Sequence, residues 1–205
     1  MTSSEISCPI AVPVAMPSLR TTFAWTLAGN VVYALCQWGM ISGLAKLGSP
    51  AAVGQFALAL AITAPVFMLT NLFLRGIQAT DVRGDFVFSS YFTLRLIGTG
   101  AGLLIIACIL ALSHRSFATC GVVLFVGAAK AVESFTDVIA GLLQKHERLD
   151  QVAVSMILKG VCSLVAFSIV YLRWHSVMFA SAALCLAWLV VFVAYDLQVA
   201  RKILG

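Results

Sequence analysis

The chain has 205 residues, of which 61% are hydrophobic and 10% are charged, and its mean hydropathy is +1.03. Soluble domains are about half apolar and a quarter charged, so this composition excludes a soluble globular protein, a disordered chain and a solvated coiled coil. The formal net charge is +5, and no basic run is interleaved with aromatic residues. The charge therefore favours basic loops at a membrane surface and argues against nucleic-acid binding.

Residues 1–20 are predicted to form a flexible cytoplasmic tail, because they are polar and contain Pro9, Pro13 and Pro17. Residues 21–205 are predicted to form one transmembrane lobe. Its six apolar segments cover approximately residues 22–45, 51–74, 86–112, 117–143, 152–172 and 177–200. A membrane helix needs about 20 apolar residues, so these lengths suit six tilted helices and exclude β-strands.

The basic residues outside these segments predict the orientation. If the N-terminus is cytoplasmic, seven basic residues lie inside and three lie outside. The inside set is Arg20, Arg75, Arg83, Lys145, Arg148, Arg201 and Lys202, and the outside set is Lys46, Arg115 and Arg173. Cytoplasmic loops carry the excess of Lys and Arg, so both termini are predicted to be cytoplasmic.

No metal or cofactor site is expected. The six cysteines are scattered without a CxxC pair, and the three histidines lie near loops without metal-ligand spacing. The glycine run at 98–102 falls inside an apolar segment with no preceding strand, so it favours close helix packing over phosphate binding.

Ionisable side chains inside the predicted spans are the informative signal. Arg95 lies in the third span, Lys130, Glu133 and Asp137 in the fourth, and Lys159 in the fifth. Such residues cost a few kcal/mol at the bilayer centre and normally face protein or a water-filled cavity. The three charges of the fourth span share one helix face, because they stand at i, i+3 and i+7.

Polar stripes on other spans point to the same cavity. Asn30 and Gln37 share a face of the first span with Thr26 and Tyr33. Facing these stripes inward predicts a hydrated cleft. The three cations and two acids within the spans give +1, which suits an anionic, phosphate-bearing ligand.

Two other interpretations explain charged residues inside the spans. Acids beside cations in a confined cavity are suited to proton exchange, which makes Glu133 and Asp137 candidate coupling groups. Alternatively, the charges could pair and lock the bundle, Lys130 with Glu133, and Arg95 or Lys159 with Asp137.

An enzyme is not expected. An intramembrane serine protease would need a serine and a histidine within spans, and the histidines lie near loops. A metal-dependent lipid transferase would need clustered acids at the membrane surface. Asp81 and Asp85 form the candidate pair, but Arg83 lies between them, and a solvated turn is the simpler interpretation.

The order of several segments resembles a transporter family. The segments are 25–38, 54–59, 130–137 (KAVESFTD), 144–150 (QKHERLD) and 155–160 (SMILKG). They resemble bacterial polysaccharide-biosynthesis flippases of the multidrug/oligosaccharidyl-lipid/polysaccharide exporter (MOP) superfamily, over nearly all of residues 20–200. The resemblance implies two six-helix lobes around a central cavity in the bacterial inner membrane, with this chain as the first lobe.

The resemblance also implies a function, the movement of undecaprenyl-diphosphate-linked oligosaccharide from the inner to the outer leaflet. The cations implied to attract the diphosphate or acidic sugars are Arg95, Lys130 and Lys159. Asn30 and Gln37 would hydrogen-bond sugar hydroxyls, and Glu133 and Asp137 would be coupling or sugar-binding acids.

The chain has half the number of spans that the family has. Alternating access in such folds moves one half against the other. The expected partners are therefore lipid-linked anionic oligosaccharide, membrane lipids, and either a second lobe or a second copy of this chain, unless the chain is a truncated product. Two further functions stay open: a multidrug or small-cation exporter of the same superfamily, and a non-transporting membrane component of a polysaccharide assembly complex.

Overall fold

The computed structural model describes residues 19–80, 88–113 and 115–204. The tail predicted over residues 1–20 lies almost wholly outside this range, and so do Asp81, Arg83 and Asp85. Among the described residues the regular structure is entirely helical, which confirms the predicted all-α class. The helices are α1 (Leu19–Leu47), α2 (Pro50–Thr70), α3 (Leu74–Thr80), α4 (Phe88–Leu112), α5 (Phe117–Lys145), α6 (Leu149–Trp174), α7 (Val177–Val191) and α8 (Leu197–Leu204).

The C-terminal helical stretch is interrupted by one wide turn. A five-residue π-helical segment, Phe192–Asp196, joins α7 to α8. A π turn inserts extra backbone into the helical register and is frequent at functional sites. The sixth predicted segment, residues 177–200, is therefore continuously helical, and its register changes at the π-helical turn near its end.

Within the described residues, four helical stretches are long and apolar enough to cross a membrane. They are Pro50–Thr80, Phe88–Leu112, Leu149–Trp174 and Val177–Ile203. The helices α1 and α5 have 29 residues each, but both carry polar or charged stripes that lower their apolar character. The count of six spans therefore stays a prediction.

The local sequence explains where several helices begin and end. Ser49 accepts a hydrogen bond from the Ala52 amide at 3.2 Å, and Pro50 occupies the first turn of α2. Both residues are favoured at helix N-termini, since the serine side chain satisfies one free amide of the first turn and proline has no amide N–H to satisfy. Ser116 caps α5 in the same way, and α6 ends at His175 in the left-handed conformation.

The helix α5 lies at the centre of the bundle and packs against α2, α3, α4, α6 and α7. Its buried face includes Val122, Val126 and Ala129, which belong to the main apolar core. On the other side of the bundle α1 packs along α6. A Cβ on Gly29 would lie 2.8 Å from the Ala153 Cα, so these two backbones approach closely.

Gly98 allows α4 to approach the end of α2. A Cβ at this position would lie 2.5 Å from the Thr70 carbonyl oxygen, whereas a Cβ on Gly100 of the same helix would meet nothing within 4 Å. We expect Gly98→Ala to lower the free energy of unfolding by about 1–3 kcal/mol, because a backbone atom must move to admit the methyl group. Gly100→Ala is the matched control and should be neutral or slightly stabilising, since alanine favours helix.

Thermal unfolding of the two purified variants in one detergent measures this difference. Equal stability of both would show that close packing at Gly98 is not needed.

Candidate functional site

A cavity of about 70 Å³ lies among α1, α3, α5, α6 and the π-helical turn. Its apolar part is formed mainly by α5 and α6. Its polar lining residues are Tyr33, Arg75, Glu133, Thr136, Asp137, Ser155, Lys159 and Asp196. A space of this size holds a few water molecules, so hydrated ionisable groups meet inside an otherwise apolar bundle.

Glu133 is held from two helices. Its Oε2 accepts a hydrogen bond from Lys130 Nζ at 2.6 Å, one turn away on α5, and its Oε1 accepts one from the Tyr33 hydroxyl of α1 at 3.0 Å. Lys130 Nζ also lies 5.6 Å from the centre of the Trp188 ring, within cation–π range. The Lys130 and Glu133 side chains stay partly exposed, so the pair contributes modestly to stability and can exchange partners.

Lys159 and Asp196 form the most deeply buried ion pair of the described part of the chain. Lys159 Nζ lies 2.7 Å from Asp196 Oδ2, and the two side chains are 5% and 2% exposed. Thr136 joins them, because its hydroxyl accepts from Lys159 and lies 3.0 Å from Asp196 Oδ2. Asp196 is the last residue of the π-helical turn. This turn places its carboxylate inside the bundle, opposite α6.

Asp137 is paired more loosely. Arg75 Nη1 of α3 lies 3.9 Å from Asp137 Oδ1, and both side chains are about one-third exposed. The pairing of Lys159 with Asp137 considered from the sequence is therefore not the one formed here, since Lys159 pairs with Asp196. Asp137 is the acid of this cavity with the longest ion-pair distance to a cation.

The structure separates the predicted site residues into two groups. Glu133, Asp137 and Lys159 line the cavity described above. Gln37 and Lys130 line a neighbouring cavity of about 20 Å³, next to Trp188. Lys130 bonds to Glu133, so the two cavities share one ion pair.

Arg95 and Asn30 lie apart from both cavities. Arg95 is 1% exposed and its Nη1 lies 3.3 Å from the Asn71 carbonyl oxygen. Asn30 is exposed on α1, and its amide nitrogen donates to the Thr26 carbonyl one turn earlier. The sequence predicted that both residues line the cavity, but neither of them lines either cavity.

Three participants were not predicted as site residues: Tyr33, Arg75 and Asp196. Tyr33 stood on the polar stripe of the first span, and that stripe was the signal for its role. Arg75 was assigned to a loop, and Asp196 to the end of a span. With them, three cations and three carboxylates lie in or beside the cavities, so the site is balanced in charge and not cationic.

Within residues 19–80, 88–113 and 115–204, no group of three or more His, Cys, Asp or Glu side chains could hold a metal ion.

Comparisons with known proteins agree with this architecture. The chain is 27% identical over 177 residues to the capsular polysaccharide biosynthesis protein CapF of Staphylococcus aureus, covering 85% of this chain and 43% of CapF. It also resembles the structure of a MOP superfamily transporter from Pyrococcus furiosus, with a TM-score of 0.60, 25% identity and 89% of this chain covered. The chain is a multi-pass membrane protein.

The match to both proteins is partial in length. The chain spans 43% of CapF and 44% of the Pyrococcus transporter, so it corresponds to less than half of each. The Pyrococcus protein is described as having a binding pocket of reverse polarity that suggests a different function. No protein-family model matches the chain.

Proposed function

We propose that this chain forms one lobe of a transporter that moves polyprenyl-diphosphate-linked oligosaccharide across the membrane for surface polysaccharide biosynthesis. The observation that carries the proposal is the group of ionisable side chains around Glu133, at the meeting point of α1, α5 and α6. Such groups within membrane helices normally mark a substrate or ion pathway. The similarity to CapF supports the polysaccharide pathway, and the Pyrococcus fold supports transport.

The size of the cavity indicates where substrate would bind. Ligand pockets in proteins measure about 300–1,000 Å³, whereas the larger cavity here measures about 70 Å³. An oligosaccharide therefore cannot be enclosed by this chain alone. We infer that it binds on the open side of the polar cluster, between this lobe and either a second lobe or a second copy of the chain.

Five polar side chains have a proposed part in this arrangement. Lys130 and Arg75 are the partly exposed cations, so they are proposed to attract the diphosphate. Gln37 and Asn30 are proposed to hydrogen-bond sugar hydroxyls from α1. Lys159 is held by Asp196, and we propose that it contributes charge to the cavity without direct contact with substrate.

Location and orientation follow from the same proposal. We propose the bacterial inner membrane, where the lipid-linked intermediate is made. Both ends of the lobe would be cytoplasmic. Ten basic residues lie outside the predicted spans, and this orientation places seven of them on the inner side of the membrane.

One observation favours a second candidate, a small-cation or drug exporter of the same superfamily. The carboxylates of the cluster equal the cations in number, and Tyr33 and Trp188 add aromatic surface. A cationic substrate would be attracted by carboxylates and by ring faces. Under this alternative, removing Lys130 would leave transport intact or improve it.

The test is the leaflet distribution of lipid-linked oligosaccharide in cells lacking this chain. We expect the intermediate to accumulate on the inner leaflet and the native chain to relieve the accumulation. Lys130→Ala and Glu133→Gln should each leave about a tenfold or larger deficit, which corresponds to about 1.4 kcal/mol. The first variant removes the cation proposed to attract the diphosphate, and the second removes the acid proposed for coupling. Asp150→Asn, which alters an exposed acid near the start of α6, is the control and should restore transport fully.

Two other outcomes would contradict the proposal in different ways. Full rescue by Lys130→Ala would favour the cation exporter. If the native chain changes nothing, a second lobe is expressed in trans. Rescue by the second lobe would show that the chain alone is an incomplete transporter. Absence of rescue would show that the substrate class is wrong.

A further inference from the structure

The junction between α2 and α3 is an unusual helix break. Leu72 and Phe73 both have positive φ, at 49° and 53°. This left-handed region is unfavourable for residues with a β-carbon, and it persists only where the surroundings hold it. The two side chains are 53% and 81% exposed, so they provide little of that support themselves.

Asn71 immediately before the break is attached to two other helices. Its carbonyl oxygen lies 3.3 Å from Arg95 Nη1 of α4, and its side-chain Oδ1 accepts a hydrogen bond from Ser134 of α5 at 2.8 Å. The Leu74 amide also donates to the Asn71 carbonyl, at 3.2 Å, which starts the next helix. Carbonyls at a helix C-terminus carry partial negative charge, which suits a buried guanidinium.

The helix that follows the break brings Arg75 to the cavity. Arg75 is the second residue of α3, and its partner Asp137 lies one turn after Ser134 on α5. Gln78, which is 2% exposed, packs where α5 has Gly141, since a Cβ there would lie 2.5 Å from Gln78 Oε1. The direction of α3 therefore sets the distance between Arg75 and Asp137.

We propose that Arg95 is a positioning residue. Through the Asn71 carbonyl it holds the α2–α3 break and so keeps Arg75 opposite Asp137 at the edge of the cavity. This role differs from the direct contact with substrate expected from the sequence, and it agrees with the 1% exposure of the side chain. The effect on transport rests on the proposed function, whereas the effect on α3 does not.

The geometric test measures where α3 lies without any substrate. Spin labels are placed at Ile77 on α3 and Leu172 on α6, two exposed positions, after the native cysteines are replaced. Arg95→Met removes the donor and should broaden the distance distribution between the labels. Arg95→Lys keeps a donor on a long side chain and should preserve the narrow distribution, as should the control Arg115→Met in the α4–α5 loop.

The transport test uses the same variants in the leaflet assay. A small displacement near reacting or binding groups can cost up to about 100-fold in rate, so we expect about a tenfold or larger loss for Arg95→Met and near-native transport for Arg95→Lys. If Arg95 instead contacts substrate as a cation, Arg95→Met would lose transport while the distances stay narrow in every variant. That result would overturn the proposal.

A second variant keeps the proposal testable if Arg95→Met does not fold. Ser134→Ala removes the other tether of Asn71, and it should broaden the same distribution. Arg95→Gln is a milder variant, because its shorter side chain cannot reach the Asn71 carbonyl. An unchanged distribution in both Ser134→Ala and Arg95→Gln would mean that the break is held by other contacts and would overturn the proposal. Failure of the oligosaccharide assay with the distances behaving as expected would refute the proposed function alone.

Discussion

Replacing Lys159 by methionine is expected to lower the free energy of unfolding by about 3–5 kcal/mol, because it leaves the Asp196 carboxylate buried without its cation. Asp196 is 2% exposed and Lys159 Nζ lies 2.7 Å away, so both groups are largely shielded from outside solvent. Asp196→Leu should be destabilising to a similar degree for the reciprocal reason. Unfolding of the purified variants in a single detergent measures both values.

The double variant Lys159→Met with Asp196→Leu tests the reason for the loss. Buried ion pairs replaced by apolar residues of similar volume are often neutral or stabilising, so the double variant should recover most of the stability lost in each single one. Arg148→Met is the control, since its pair with Asp150 is about half exposed and should contribute less than about 1 kcal/mol.

Recovery of stability in the double variant would separate stability from function. We expect its transport to stay impaired, because the cavity has lost a cation and a carboxylate together. A neutral effect of Lys159→Met alone would contradict the prediction, since it would mean that water from the cavity reaches Asp196.

Replacing Glu133 or Asp137 by its amide is expected to abolish the response of transport to a proton gradient. An amide keeps the shape of the side chain but cannot exchange a proton in this range. The groups facing Glu133 are the Lys130 ammonium of its own helix and the neutral Tyr33 hydroxyl of α1, and Asp137 faces Arg75 of α3. Lys159 and Asp196 line the same cavity from α6 and the π-helical turn.

The measurement compares transport rates in cells with and without an uncoupler that collapses the proton gradient. In the native chain the uncoupler should reduce the rate about tenfold or more, which corresponds to a difference of about 1.4 kcal/mol in activation free energy. At least one of Glu133→Gln and Asp137→Asn should run at the low rate under both conditions. Asp150→Asn should behave as the native chain, and an uncoupler response that persists in both amide variants would exclude these acids from coupling.

The membrane helices could be predicted because their determinants are local. Apolar runs of membrane length, the serines that cap α2 and α5, and the spacing of Lys130, Glu133 and Asp137 are all read directly from neighbouring residues. The helical periodicity placed those three charges on one face of α5, and Lys130 does bond to Glu133 in the structure. Tyr33 was on the predicted stripe of the first span for the same reason.

The contacts between helices could not be predicted in this way. A regular helical periodicity through the sixth segment does not predict that Asp196 faces α6. The π-helical turn near the end of this segment changes the register and places it there. The helix break at Leu72 and Phe73 contains neither glycine nor proline, so the local sequence does not predict that a new helix begins just before Arg75. Arg95 was predicted to be a substrate-binding cation of the cavity, but it is buried against Asn71.

The sequence by itself therefore determined an all-helical membrane chain and the face on which the charges of α5 lie, because composition and periodicity report burial in lipid and local helix geometry. Only the tertiary structure decided which charges are partners. That choice depends on how far each helix is rotated and displaced against its neighbours, which leaves Lys130 partly exposed and Lys159 buried against Asp196.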